Sequence, residues 1–108
     1  MMTMPSTIPF KRGDIVLVPF PFTDLTDVRQ RPAVVISNDS YNDSHADVVT
    51  SAITSQVPQN LAPDELLIAE DDLSTAGLPR RSMIRAGKIF AIDKSLVRKS
   101  LGTLPVGI

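Results

Sequence analysis

The apolar residues of this chain fall into short β-branched runs, each closed by proline, glycine or turn-forming side chains. That punctuation leaves little room for long helices. Ile15-Val16-Leu17-Val18 stops at Pro19 and Pro21, Ala33 to Ser37 follows Pro32, Val48 to Thr54 runs toward Pro58, and Glu65 to Ala69 follows Pro63. Runs this short and this rich in β-branched residues read as strands. Proline has no N–H to donate, so Pro19 and Pro21 end the first ladder or confine it to an edge. The apolar stretch after Pro32 reads as a central strand, buried on both faces. Ser82 to Ile92, interrupted by Ala86-Gly87, predicts two strands or one strand with a bulge. Between them, Phe22 to Gln30 is a polar loop, and Asn38 to Ala46 is a loop or a single helical turn. Asp71 to Gly77 is a capped turn of helix ending at the glycine. The amphipathic tail from Lys94, with Leu96, Val97, Leu101 and Leu104, predicts the start of a helix that Pro105 stops. Close-spaced short strands of this kind make a small barrel or a strongly bent sheet.

At 108 residues this is one domain with a modest core. With no cysteine, disulfides and thiolate zinc sites are excluded, which fits a reducing cytoplasm. The first ten residues lack the basic and long apolar regions of a signal peptide. No apolar run reaches the roughly 18 residues that span a bilayer. The net charge of −1 hides a partition: residues 1–35 carry +1, residues 36–73 carry −8 with no Lys or Arg, and residues 74–108 carry +6. A generally basic coat is excluded, but a local basic face is not. Such a face suits a polyanion or an acidic peptide, with the acidic middle segment facing elsewhere.

The candidate chemistry is sparse. Arg31 is always charged, and its planar fork can hold two phosphate oxygens at once; it can equally pair with Asp24 or Asp27 in the preceding loop. Thr54, Ser55 and Gln56 end the third strand with three hydrogen-bonding side chains. They can meet a phosphate, or they can cap their own turn before Pro58. His45, the only histidine, sits among turn residues with Asp43 and Asp47 nearby. Asp39, Asp43 and Asp47 lack the glycine of a calcium loop. With no second histidine and no cysteine, no metal site and no cofactor are expected. Phosphate-binding loops and nucleophile elbows are absent from the sequence.

Five strings, taken in order, resemble the MazF/PemK ribonuclease toxins, and are nearer the PemK-like branch. They are Gly13-Asp14-Ile15-Val16, Pro19-Phe20-Pro21-Phe22-Thr23-Asp24, Arg31-Pro32-Ala33-Val34-Val35-Ile36-Ser37-Asn38-Asp39, Ile53-Thr54-Ser55-Gln56, and Lys88-Ile89-Phe90-Ala91-Ile92-Asp93-Lys94. The resemblance runs from about Lys11 to Leu104. It implies a mainly β, SH3-like barrel of the CcdB/PemK type with short helices, spanning residues 13–108 after a leader of residues 1–12. The family's C-terminal helix would be shortened or absent. It also implies a cytoplasmic homodimer that cuts single-stranded mRNA without a metal and arrests growth. A cognate antitoxin would inhibit it through an acidic C-terminal segment, and that complex would bind DNA. By motif match the catalytic pair falls on Arg31 and Thr54. Ser55, Gln56, Arg85 and Lys88 then contact RNA. The alternatives are a non-catalytic barrel binding RNA or a peptide through the same groove and, less favoured, a gyrase poison.

Overall fold

The computed structural model describes residues 9–20 and 29–105, the side chain of Phe20 excepted. In chain order the elements are β1 (Asp14–Phe20), β2 (Arg29–Val35), α1 (Asp39–Ser44), β3 (Asp47–Thr54), β4 (Glu65–Leu67), α2 (Glu70–Ala76), β5 (Met83–Asp93), a 3-10 turn (Lys94–Leu96) and β6 (Lys99–Thr103). The six strands form one antiparallel sheet in the order β4-β5-β3-β2-β1-β6.

Alternation along the strands builds two apolar clusters. Ile15, Val34, Ile53 and Ile84 join Ile68, Ala76, Leu78 and Leu104 in one cluster. Val16, Val18, Ala33, Val35, Val48 and Ile92 form the other, with Phe10, Phe90 and Val97 against it. Neighbouring residues of β1 and β2 thus enter opposite clusters, which is why Ala33-Val34-Val35 is apolar at every position. Phe10, expected in a leader, packs on the second cluster, and its carbonyl accepts a hydrogen bond from Asn42 Nδ2 at 3.2 Å.

The two sheet edges are brought together by a helix. α2 follows edge strand β4 in sequence and packs against β6, the opposite edge. The approach is possible because both contact points are glycines. A Cβ on Gly77 would lie 2.0 Å from the Leu101 carbonyl oxygen, and one on Gly102 would lie 2.2 Å from that of Thr75. Gly77 also takes φ +74° as the left-handed cap of α2, the role its position in the sequence predicts. The result is a strongly bent, barrel-like sheet.

Two local expectations, the start of the second strand and the form of the tail, need correction. The second strand begins at Arg29, within the expected loop, because the β1–β2 ladder continues to Phe20↔Arg29; the loop's Phe22 to Val28 lie outside the described residues. Pro32 is tolerated inside β2 because pairing with β3 starts only at Ala33. Pro19 takes the second of the two outcomes expected for it: it lies past Leu17, where pairing with β6 stops, and there β1 is locally an edge. The tail is a 3-10 turn and then strand β6, not a helix, since Leu101 and Leu104 pack on the first cluster while Gly102 abuts α2. The stretch after Ser82 is a single bulged strand, one of the two forms expected for it.

Candidate active site

The end of β2 and the end of β3 meet at one corner of the sheet. Ala33 pairs with Ala52. Arg31 and Thr54 each lie two residues beyond that last pair, on the face that Ala33 and Ala52 share, and both line one cleft. Both are half-buried. On the far side of β3, Ala52 also pairs with Arg85, which brings the basic part of the chain to the same corner. The outcome is a cleft of about 200 Å³ lined by Arg31, Ala52, Ile53, Thr54, Gln56, Arg85 and Lys88.

Among the described residues, three cations and no carboxylate line this cleft. Thr54 Oγ1 accepts the Gln56 backbone N–H at 3.1 Å, so the strand-end cap weighed for it does form. That bond occupies a lone pair and leaves the hydroxyl proton for a ligand oxygen. Arg31 is engaged in an interaction of its own, although its buried Nε makes no hydrogen bond. Asp24 and Asp27, the partners weighed for it, lie outside the described residues. A site with three cations and the hydroxyl and amide donors of Thr54 and Gln56 attracts an anion.

Of the six residues singled out from sequence, Arg31, Thr54, Gln56, Arg85 and Lys88 line the cleft. Ser55 is exposed between Thr54 and Gln56 and is not part of the lining. His45 lies elsewhere, exposed at the end of α1 and stacked on Tyr41 with ring centroids 3.8 Å apart. Among the described residues no group of three His, Cys, Asp or Glu is placed to hold a metal ion. None of the acidic residues of the middle segment lines the cleft, but Asp64 adjoins the stretch between Arg85 and Lys88: its backbone oxygen accepts the Ala86 N–H at 2.8 Å, and its carboxylate lies beside Gly87. Ala52 and Ser51 carried no signal in the sequence beyond being small residues in an otherwise bulky strand.

The sequence model for the family described as PemK-like, MazF-like toxin of type II toxin-antitoxin system matches residues 11–107. The chain belongs to that family. Solved structures give the same fold. An endoribonuclease in complex with its cognate antitoxin from a mycobacterial species superposes with a TM-score of 0.68 at 22% identity, covering 89% of this chain and 80% of that one. The Mycobacterium tuberculosis toxin MazF-mt6 gives 0.68 at 15% identity, with 86% and 81% covered. A MazE–MazF complex from Deinococcus radiodurans gives 0.67 at 20% identity, with 92% and 83% covered. No curated protein matches the sequence significantly. In this member of the PemK-like, MazF-like toxins, the cleft draws on all three of the motif strings that end β2, end β3 and run through β5.

Proposed function

We propose that this toxin is an endoribonuclease that cuts single-stranded mRNA without a metal ion. The observation that carries the reading is the convergence of Arg31, Thr54, Arg85 and Lys88 on one cleft, with no carboxylate among the described residues that line it. Similarity of fold to proteins described as endoribonucleases supports it.

RNA brings its own nucleophile, so the protein needs no serine or cysteine for the attack. The 2′-oxygen bonds to the adjacent phosphorus and loses its proton, the bond from phosphorus to the 5′-oxygen breaks, and that oxygen takes up a proton. The products are a 2′,3′-cyclic phosphate and a free 5′-hydroxyl. Negative charge builds on the phosphorane oxygens, where the Arg31 guanidinium and the Thr54 O–H stabilise it. Arg85 and Lys88 hold flanking phosphates, and Gln56, with Ser55 at the rim, orients the strand. The same cations suit an acidic antitoxin segment, which would inhibit by occupying the cleft. Leu66, Leu67 and Ile89 stay exposed, with Leu66 and Ile89 lining a separate apolar groove; we assign that surface to a second copy in a homodimer. The site of action is the cytoplasm, where mRNA is found.

The test is incubation of the purified protein with a long single-stranded RNA, followed by mapping of cut sites and end groups. Cuts at a restricted sequence, with cyclic-phosphate and 5′-hydroxyl ends, are expected, undiminished in EDTA. Bound but intact RNA would make the protein a binding module. Loss of cutting in EDTA would make it a metal nuclease.

A further inference from the structure

β5 departs from regular alternation beside the cleft. Ser51 pairs with Ile89 and Ala52 with Arg85, so Ala86, Gly87 and Lys88 bulge out with no partner on β3. In a regular strand Arg85 and Lys88, three apart, would point to opposite faces. The bulge instead brings both into the cleft and sends Ala86 and Ile89 to the apolar groove. Its shape is held by β3 and the connector before β4. Ser51 Oγ donates to the Arg85 carbonyl at 2.9 Å, and the Ala86 N–H donates to the Asp64 carbonyl at 2.8 Å. On the other flank Thr50 Oγ1 donates to the Phe90 carbonyl at 3.0 Å. Thr50 and Ser51 are 0% and 2% exposed in a strand that is otherwise largely apolar, and a buried hydroxyl is costly unless bonded. Both hydroxyls are spent on the β5 backbone at the two ends of the bulge.

We propose that Ser51 is a positioning residue for RNA binding: its hydroxyl fixes the Arg85 carbonyl, and through it the bulge that sets Arg85 and Lys88 side by side in the cleft. Ser51 lines the apolar groove, not the cleft, so it acts without touching RNA. The proposal takes the cleft as an RNA site from the preceding reading.

Two measurements test it on Ser51→Ala, with Val48→Ala as a control that weakens the core at the far end of the same strand. Amide exchange at Ala86 to Ile89 is expected to be about tenfold faster in Ser51→Ala, the scale of one lost hydrogen bond, with Val48 and Val49 unchanged. The KM for single-stranded RNA is expected to rise about tenfold while kcat stays within about twofold, and Val48→Ala leaves KM unaltered. Wild-type exchange and KM in Ser51→Ala would overturn the proposal, as would an equal rise of KM in Val48→Ala. If Ser51→Ala does not fold, Ser51→Cys, similar in shape but a weaker donor, is expected to shift both readouts in the same direction. A wild-type protein that neither binds nor cuts RNA would end the endoribonuclease reading alone, and exchange would still decide whether Ser51 holds the bulge.

Discussion

Replacing Arg31 with alanine removes a charge present at every working pH and a planar fork that lysine does not reproduce. If the cleft stabilises a phosphorane, Arg31→Ala should cut RNA about 10²–10³-fold more slowly, the usual cost of losing one such donor. Arg31→Lys should fall between it and the wild type. The far-ultraviolet dichroism of each should be unchanged, and full cleavage by folded Arg31→Ala would remove Arg31 from the mechanism. Thr54 has two jobs that substitutions can separate. Thr54→Ser keeps the acceptor for Gln56 N–H and the O–H, so near-wild-type cleavage is expected. Thr54→Val loses both, and a drop of about tenfold or more should be seen in single-turnover rates. Taken singly, a surface ion pair for Arg31 and a strand-end cap for Thr54 were sufficient explanations. Their shared place in one cleft is what supports the joint role proposed for them.

At the scale of elements, the packing of α2 on the edge strand β6 rests on glycines whose purpose is invisible in their own neighbourhood. Gly102→Ala would drive a methyl into the backbone of Thr75 and Ala76, where no flexible side chain can yield. A loss of about 1–3 kcal/mol or more in denaturant unfolding is expected, against little change for Ser100→Ala on the exposed part of β6. The first five strands, α2 and the cap at Gly77 were legible because they depend on nearest neighbours, β-branched runs and a glycine after α2, and α1 is one of the two forms expected for Asn38 to Ala46. The tail was misread because Leu101 and Leu104 are spaced as on a helix, while the contact that selects a strand comes from α2, far away in sequence. The 3-10 turn before β6 offers a separate check. Asp93 caps it, and hydrogen bonds from the Ser95 backbone N–H and then its hydroxyl hold the Asp93 carboxyl below its ordinary value of 3.8. A lowered native pKa means that the cap stabilises above the unfolded-state pKa and fades as pH falls through the native one. The stability difference between wild type and Asp93→Ala should therefore be constant near neutrality and shrink below about pH 4. A difference that persists undiminished in acid would show that the carboxylate charge is not what the turn uses.

Over the whole molecule, the net charge of −1 gives no general attraction for RNA, so attraction must come from where the charges sit. The strongly basic final third was legible as a source of cations. Which of those cations matter was not, because Arg85 and Lys88 reach the cleft through a bulge, whereas Arg80 and Arg81 lie before β5, and Lys94, Arg98 and Lys99 lie after it. This distribution sets the salt dependence of binding. For single strands, log K falls with log salt by about 0.7 for each phosphate neutralised, so three cleft cations predict a slope of about −2. The measurement is titration of a labelled single-stranded RNA with the Thr54→Val protein, slowed so that the RNA survives, across a range of salt concentrations. Arg85→Ala with Lys88→Ala should flatten the slope to about −0.7, leaving Arg31 as the remaining contact. A slope of −4 or steeper, or one indifferent to the double substitution, would mean that RNA runs over the outlying basic residues and that the cleft is only part of its track.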